Sequence, residues 1–280
     1  MRSRCAVNFS ILLVALLPGA GLAEDRSAEL SVTGRLGAVS NYVSRGLTQT
    51  WGLPAVQGEV ELEHDSGFYV GSFVSNISNK IYPGGTYEIE VWSGYEHELS
   101  NDAALSVEGI YYAYPGANFS KGNCGGTLGC ANQSFNTFQP RLGARGRWLS
   151  TRIAYALTDY FGDSVRTGFR GSTRGTWYWE ANADYAVSGA PTWHVIAHLG
   201  YTRYPTQFAF PNPQVSESPN YWDWRLGVTK SLGESFKGGR VGVYYTQASN
   251  RSFHEATSLT TSTKRDLGRP TVILGLDWTF

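Results

Sequence analysis

Segments of about ten residues in which apolar and polar side chains alternate recur along the chain after residue 23. Because the side chains of a strand point alternately to its two faces, each segment predicts a β-strand with one apolar face. The C-terminal segment is the clearest, with Val272, Leu274, Leu276, Trp278 and Phe280 on one face. Twelve strands are predicted, at residues 30–43, 55–64, 67–77, 86–98, 103–114, 135–148, 151–161, 175–187, 192–204, 220–231, 239–249 and 270–280.

The connections between these segments alternate between short and long. Strict alternation puts all long loops at one end of the strand bundle, whereas a soluble β-sandwich would mix loop lengths. An even strand number, short turns at one end and long loops at the other are typical of bacterial outer-membrane barrels. The sequence therefore predicts an all-β, transmembrane, antiparallel up-and-down β-barrel of about 12 strands. The long connections are residues 45–54, 78–85, 115–134, 162–174, 205–219 and 250–269.

Aromatic residues gather near the ends of the predicted strands, which favours a membrane setting. Tyr and Trp suit the membrane–water interface because a flat apolar ring carries a polar group. An ordinary core would show no such preference for strand ends. The residues concerned are Tyr111, Tyr114, Trp177, Trp179, Tyr201, Tyr204, Trp222, Trp224, Trp278 and Phe280.

The N-terminal 23 residues have the order of a secretory signal peptide. Arg2 and Arg4 precede the apolar run 11–17, and small residues lead to a predicted cleavage after Ala23. The run is well short of the ~20 residues that a membrane-spanning helix needs. The domain prediction is a signal peptide at residues 1–23 and one barrel domain at residues 24–280, exported to the bacterial outer membrane. Loss of the two arginines leaves a slightly acidic chain, so nucleic-acid binding has no support.

Two cysteines, Cys124 and Cys130, lie close together in a glycine-rich segment of a long loop. In an exported protein this pair predicts a disulfide bond that tightens the loop, with free thiols as the alternative. Two ligands cannot close a zinc site. No metal and no cofactor is predicted.

The first hairpin resembles the opening of the TorF family of proposed porins, conserved outer-membrane proteins of unknown function. The matching residues include Tyr42, Arg45-Gly46, Pro54-Ala55-Val56-Gln57-Gly58, Ser66-Gly67-Phe68-Tyr69-Val70-Gly71 and Ser75-Asn76, and the match is specific over residues 40–99. The resemblance implies an outer-membrane barrel and a pore, but it supplies no substrate. The C-terminal strand, with Trp278 and Phe280, also resembles the signal that the outer-membrane assembly machinery recognises.

If the apolar face of each strand meets lipid, the other face lines the lumen. The candidate pore-lining residues form an acidic wall on the early strands, a basic wall on the middle strands and a mixed set on the later strands. In that order they are Glu59, Glu61, Glu88, Glu90 and Glu108; Arg141, Arg145 and Arg152; and Glu180, Asp184, Asp223 and Arg225. In a water-filled pore such walls would create a transverse field that favours polar solutes. Alternatively, the charges pair with each other inside a narrow lumen. A barrel of about 12 strands lies between filled and open barrels, so both interpretations stay open.

Arg45 has two interpretations. It lines a pore mouth, or it holds the turn together by pairing with Glu59 or Glu61 on the next strand.

The other function classes are a non-conducting barrel that acts as an adhesin or assembly partner through its loops, and an outer-membrane lipid hydrolase. A hydrolase needs a nucleophile, a base and an orienting group within reach. No Gly-x-Ser-x-Gly motif occurs. His194 and His198 share a strand face but lie roughly 13 Å apart, too far to share one metal ion. The favoured interpretation is a porin-like, non-enzymatic channel for small polar or charged solutes, in contact with outer-membrane lipid.

Overall fold

A computed structural model describes residues 30–123, 131–209 and 216–280 of the 280-residue chain. Twelve long antiparallel strands form one closed barrel. In chain order they are β1 (Leu30–Val39), β2 (Ala55–His64), β3 (Phe68–Asn76), β4 (Tyr87–Ser100), β5 (Ala103–Ala113), β6 (Thr137–Arg145), β7 (Leu149–Tyr155), β8 (Trp177–Val187), β9 (Ala190–Arg203), β10 (Tyr221–Ser231), β11 (Gly239–Ala248) and β12 (Thr271–Thr279).

Each strand pairs with its neighbours in sequence, and β1 pairs with β12 to close the barrel. At this seam Arg35 lies opposite Thr279 and Val39 lies opposite Gly275. Backbone hydrogen bonds of 2.9 Å in both directions between Gly34 and Phe280 extend the seam by one pair. Closure leaves no edge strand with unpaired backbone groups, which is the condition for crossing a membrane with strands.

The predicted barrel and its twelve strands are confirmed. Most strand ends lie within three residues of the prediction, and the two larger differences have the same reason. The first strand ends at Val39 rather than at residue 43, and the seventh ends at Tyr155 rather than at residue 161. In both places the chain leaves the barrel wall and folds over the lumen. The alternation of apolar and polar residues does not predict this change of direction. Ser150, predicted to lie in a turn, is part of β7.

The outer face of the barrel is apolar. Leu142 and Val32 are each 60% exposed, and Leu274 is 58% exposed. Soluble proteins seldom expose apolar surface on this scale, because each exposed apolar side chain forgoes about 1.5–3 kcal/mol of burial free energy. The outer face is therefore suited to lipid. Within the described residues, no helix has the length and apolarity needed to cross a membrane.

The short turns lie at one end of the barrel, and we call this the turn side; the other end is the loop side. The loop-side connections contain three two-stranded pairs and short helical turns. The strand pairs are Val43–Ser44 with Leu47–Thr48, Phe208–Ala209 with Ser216–Glu217, and Glu255–Thr257 with Lys264–Asp266. The 3₁₀ turns are Phe119–Lys121, Tyr160–Gly162 and Val165–Thr167, the helical turn is Arg251–His254, and a 3₁₀ turn at Glu234–Phe236 lies on the turn side.

Two clusters of buried side chains fill the loop side. The first aromatic cluster contains Tyr42, Phe73, Tyr82, Trp92, Tyr112, Tyr114 and Phe135. The second aromatic cluster contains Tyr160, Phe169, Tyr204 and Tyr221. Phe161 packs against both of them. The barrel therefore has its apolar core at the loop side, between the wall and the inward-folded loops.

Tyr114 and Tyr204, which the sequence placed in the interface belt, are instead buried in these clusters, at 3% and 8% exposure. Both lie at strand ends, but their side chains point to the inner face. Trp222 and Tyr111 point outward and are 47% and 42% exposed, as the prediction requires.

The signal peptide, residues 1–23, and the pair Cys124 and Cys130 lie outside the described residues. Both stay predictions.

Candidate functional site

A hairpin between β1 and β2 folds into the barrel, and we call it the inserted hairpin (Val43–Thr48). Its tip consists of Arg45 (φ 48°) and Gly46 (φ 76°). Two consecutive residues with positive φ are the signature of the tight turn that joins strands with a two-residue loop. Glycine adopts this conformation freely, whereas an arginine does so at a cost of about 1–3 kcal/mol. Arg45 is therefore the strained residue of the tip, and its side chain lies in the lumen.

Buried hydroxyl and amide groups fix the base of the inserted hairpin. The Thr48 hydroxyl donates to Asn41 Oδ1 at 2.6 Å, and the Thr50 hydroxyl donates to the same oxygen at 3.1 Å. The Gly52 backbone N–H donates to the Thr48 hydroxyl oxygen at 2.9 Å. At the tip, Gly46 lies so close to β10 that an added Cβ would be 2.4 Å from Asp223 Cβ. The hairpin therefore reaches across the lumen and packs directly on another part of the wall.

The Arg45 guanidinium is held by neutral groups. Nη1 donates to the Tyr160 hydroxyl at 2.5 Å, and Nη2 donates to the Tyr112 hydroxyl at 3.1 Å and to Gln139 Oε1 at 2.9 Å. Its Cζ lies 4.6 Å from the centre of the Tyr178 ring and 5.0 Å from that of Phe161. These contacts combine charge-assisted hydrogen bonds with cation–π attraction.

The predicted pairing of Arg45 with Glu59 or Glu61 does not occur. Glu59 accepts a hydrogen bond from Arg35 at 2.6 Å, and Glu61 accepts one from Trp92 Nε1 at 2.7 Å. The turn carries Arg45 beyond the reach of β2, because the hairpin bends inward instead of continuing along the wall. Among the described residues, Arg45 forms no ion pair.

Most of the charged candidates on the inner face form ion pairs, some with each other and some with neighbouring side chains. Arg145 lies 2.8 Å from Glu96 and also pairs with Glu98, and Arg152 lies 2.9 Å from Glu180. Arg141 pairs with Glu108, and both side chains are largely buried. The acidic and basic walls thus meet along strand boundaries and neutralise each other there, which was the alternative left open by the sequence.

Asp184 and Asp223 have partners on other strands of the barrel. Asp184 accepts from Arg240 Nη1 at 3.1 Å and lies 2.5 Å from His194 Nδ1. Asp223 Oδ1 lies 2.9 Å from His198 Nε2. These contacts join β8, β9, β10 and β11 across the inner face.

Four candidates have no ion pair within the described residues: Glu61, whose partner is the Trp92 indole, and Glu88, Glu90 and Arg225. Glu88 is 2% exposed and accepts a hydrogen bond from the Tyr114 hydroxyl at 2.5 Å inside the first aromatic cluster. Glu90 faces the lumen on the same strand. Arg225 stacks its guanidinium at 5.6 Å from the Tyr244 ring centre, and its Nε is buried without a hydrogen-bond partner.

Adjacent cavities lie inside the barrel, and three of them involve the charged candidates. The turn-side cavity, about 1220 Å³, is bordered by Arg35, Arg145, Asp184, Arg225, Arg240 and Asp277 among others. The central cavity, about 240 Å³, lies at the tip of the inserted hairpin and is lined by Arg45, Glu90, Tyr112, Arg141, Arg152, Tyr178, Glu180, His198, Asp223 and Arg225. The side cavity, about 310 Å³, is lined by Glu61, Glu63, Glu108 and Arg141.

Shared lining residues show that the three cavities are adjacent. Val43, Asn182 and Arg225 border both the turn-side and the central cavity, and Arg141 and Arg152 border both the central and the side cavity. The candidate site is therefore a charged lumen that narrows from the turn side to the Arg45 tip. Tyr42 and Phe73 of the first aromatic cluster border the turn-side cavity, and Tyr112 borders the central cavity.

The histidines form no recognisable hydrolase arrangement in the described part of the chain. His198 contacts Asp223, Asn182 and the Tyr178 hydroxyl, whereas the one serine bonded to a histidine ring, Ser66 with His64 at 2.7 Å, belongs to a tight turn. No group of three or more metal-binding side chains is found in the searched residues.

Tyr112, Gln139, Tyr160 and Tyr178 hold Arg45, and sequence reasoning missed all four. Three of them could have been found, because they share the inner-face register of Glu108, Arg141 and Glu180. Tyr160 lies in a loop turn that follows no alternating pattern.

Trp278 and Phe280 complete the wall at the seam. The Trp278 indole donates to the Lys237 carbonyl at 3.0 Å, and the Phe280 side chain is 62% exposed on the outer face. Their recognition by the assembly machinery stays a prediction.

Comparison with solved structures finds other barrels at low identity. The structure titled "KdgM porin" is 11% identical with a TM-score of 0.48, covering 89% of this chain and 98% of that chain. The NanC porin is 8% identical with a TM-score of 0.48, covering 89% and 99%. OprD of Pseudomonas aeruginosa is 12% identical with a TM-score of 0.39, covering 90% and 66%.

No curated protein matches the chain. The name TorF is not confirmed, but residues 23–280 match the model of a family described as "Bacterial protein of unknown function (Gcw_chp)". Because this match extends over most of the chain, the protein belongs to the Gcw_chp family.

Proposed function

We propose that this protein is a porin-like channel of the bacterial outer membrane that lets small polar or charged solutes diffuse passively. The observation that carries the proposal is a lumen of adjacent cavities lined by charged side chains, inside a barrel whose outer face is apolar. A polar interior and an apolar exterior are what a water-filled pore through lipid requires. The proposal assigns the protein no catalytic step and no cofactor.

The narrow part of the proposed route is at the Arg45 tip. The wide turn-side cavity leads to the central cavity, and beyond it the lumen meets the inserted hairpin and Phe161. Pore diameter and the polar groups at the narrowest point govern conduction and selectivity. Arg45 therefore forms the constriction. It lines the pore, as one of its two sequence interpretations proposes, but inside the barrel and not at the mouth.

A second candidate is a plugged barrel that acts through its loops as an adhesin or assembly partner. The two aromatic clusters favour it, since their buried rings fill the loop side. In either case the protein contacts outer-membrane lipid, and Trp278 and Phe280 are proposed to bind the assembly machinery.

The test is single-channel recording of the refolded protein in a planar bilayer. We expect reproducible conductance steps, and a larger step size for Arg45→Ala, because the substitution removes the side chain at the constriction. Arg251→Ala is the matched control, since this loop arginine has 79% of its side chain exposed. Its step size should equal that of the wild type.

Barrel folding is verified separately by gel mobility before and after heating. If folded wild type and folded Arg45→Ala both give no steps, the porin proposal is wrong and the plugged barrel is supported. Steps that are equal in wild type and Arg45→Ala would place the constriction elsewhere.

A further inference from the structure

We propose that the central cavity binds the carboxylate group of a small polar organic acid between Arg45 and Arg225. The proposal rests on which charged side chains around this cavity have partners. Four arginines and three carboxylates line it besides His198, and Glu108, which pairs with Arg141, brings the carboxylates to four. The preference for an anion therefore comes from the guanidinium groups that keep unused donors, not from a net charge.

The ion pairs show which of these groups keep free donors. Arg152 is paired with Glu180, Arg141 is paired with Glu108, and Asp223 contacts His198. Arg45 and Arg225 form no ion pair within the described residues, and Glu90 is the one carboxylate of the cavity left outside these contacts. Two guanidinium groups without an ion pair therefore line one cavity, together with Glu90.

Both guanidinium groups keep donors for a ligand. Arg45 uses Nη1 and Nη2 for Tyr160, Tyr112 and Gln139, and its Nε–H makes none of these bonds. Arg225 stacks on Tyr244, and its buried Nε has no hydrogen-bond partner. A buried donor left without an acceptor is unfavourable, so a ligand that supplies the acceptor is bound more tightly. A carboxylate supplies two such acceptors in the geometry that guanidinium favours.

The positions of the two arginines suit a solute that arrives from the turn side. Arg225 borders both the turn-side and the central cavity, whereas Arg45 borders the central cavity at the hairpin tip. The central cavity of about 240 Å³ has room for about eight water molecules at ~30 Å³ each. This room fits a small organic acid, and Tyr112, Tyr178 and Asn182 offer polar contacts for its other groups.

The inference rests on the proposed porin function for the route by which the acid enters. Binding is therefore measured without any current, by ligand-observed NMR titration of the refolded barrel in detergent. The probes are lactate and lactamide, which differ in the carboxylate alone. We expect the wild type to bind lactate at least about tenfold more tightly than lactamide, since a charge-assisted pair is worth more than a neutral one.

Substitution separates this site from the rest of the charged lumen. Arg225→Gln should weaken lactate binding about tenfold or more and leave lactamide binding unchanged, and Arg45→Gln should do the same. Arg225→Gln leaves the inserted hairpin intact, so it remains informative if Arg45→Gln fails to fold. Arg240→Gln is the control, because this arginine also faces the lumen but is paired with Asp184.

Equal affinity for the two probes would overturn the inference, as would an Arg225→Gln variant that binds lactate like the wild type. A loss as large in Arg240→Gln would overturn it too. If the barrel conducts but does not prefer lactate, this site is wrong and the porin proposal stands. If it prefers lactate and gives no conductance steps, the site stands and the porin proposal fails.

Discussion

At the scale of single residues, the Arg45–Gly46 tip combines strain with dense contact. Arg45 has a φ of 48°, in the left-handed region that side chains disfavour. Three hydrogen bonds and four aromatic rings surround its guanidinium and offset that cost. Strained backbone at a contact-rich position is typical of functional sites, and here it holds a cation in the middle of the lumen.

Gly46→Ala should destabilise the barrel more than an ordinary glycine substitution at positive φ. The new Cβ would lie 2.4 Å from Asp223 Cβ, so the hairpin or the wall must move. We expect a loss of about 1–3 kcal/mol beyond the backbone strain. The measurement is the denaturant midpoint of the refolded protein.

Gly189→Ala is the matched control for this substitution. Gly189 has nearly the same conformation (φ 78°), but nothing lies within 4 Å of its ideal Cβ. It reports the backbone strain alone. Equal losses in the two variants would show that the tip does not press on β10.

The inner-face residues could largely be predicted from the sequence, but their partners could not. Period-two alternation assigns Glu59, Glu108 and Arg141 to one face, because strand pairing fixes which side each residue takes. The partner of Arg45 depends on a turn that leaves the wall. No local pattern records the contact with Tyr160, which is 115 residues away in the chain.

At the scale of elements, the connection between β7 and β8 is a small folded unit on the loop side. Ser164 caps the turn Val165–Thr167 with a reciprocal pair of hydrogen bonds to Thr167. The Tyr204 hydroxyl donates to Asp163 Oδ2 at 3.0 Å. Phe161 inserts its ring between the two aromatic clusters. The connection is therefore a folded segment that helps to fill the lumen at the loop side.

Burial raises the pKa of Asp163 to about 7 and outweighs the Tyr204 hydrogen bond, which acts to lower it. In the folded protein this carboxyl binds its proton up to about pH 7, whereas in the unfolded chain it releases it near pH 4. The folded state thus holds more protons between these values, and Asp163 makes stability fall as pH rises from about 4 to about 7.

Asp163→Asn should remove that component. The variant keeps a neutral side chain with an acceptor oxygen for the Tyr204 hydroxyl at every pH. We expect the difference in unfolding midpoint between variant and wild type to grow in favour of the variant from pH 4 to pH 7 and then level off. A difference that is constant across this range would contradict the prediction.

The strands themselves were predictable because an antiparallel wall imposes its two-residue period on the sequence. The predictions failed where tertiary packing overrides that period. In the sequence, the buried residues Tyr114 and Tyr204 cannot be told from residues of the membrane-interface belt. A belt residue and a residue of the buried clusters are both aromatic and both lie near a strand end. The inward fold of the loops decides between the roles, and it depends on contacts between distant segments.

At the scale of the whole molecule, the barrel turns its apolar side chains outward and its charges inward. Val243 in β11 is 53% exposed and lies between Val228 and Leu274, which are also exposed. In water this surface would be a large apolar patch. In lipid it is the surface that contacts the acyl chains, so a charged substitution on it should lower the stability of the barrel in a bilayer.

Val243→Arg should destabilise the barrel by about 2–4 kcal/mol in lipid vesicles, the cost of an arginine facing the middle of a bilayer. Val165→Arg is the control, since Val165 is equally apolar and 63% exposed but lies in a loop-side turn. It should change stability by less than about 0.5 kcal/mol. The measurement is the unfolding free energy in vesicles; equal effects would mean that the outer face of β11 does not meet lipid.

The pairing order of the barrel gives it a modular character. Every strand bonds to its neighbours in sequence, and the β1–β12 seam is the exception that closes the ring. A strand–turn–strand unit such as residues 55–76 could therefore be copied within the gene and inserted beside the original without rewiring any other pair. Each copy would add two strands to the barrel and widen its lumen. Proteins that evolve from this chain could therefore change barrel diameter in steps of two strands and keep the same pairing of the first strand with the last.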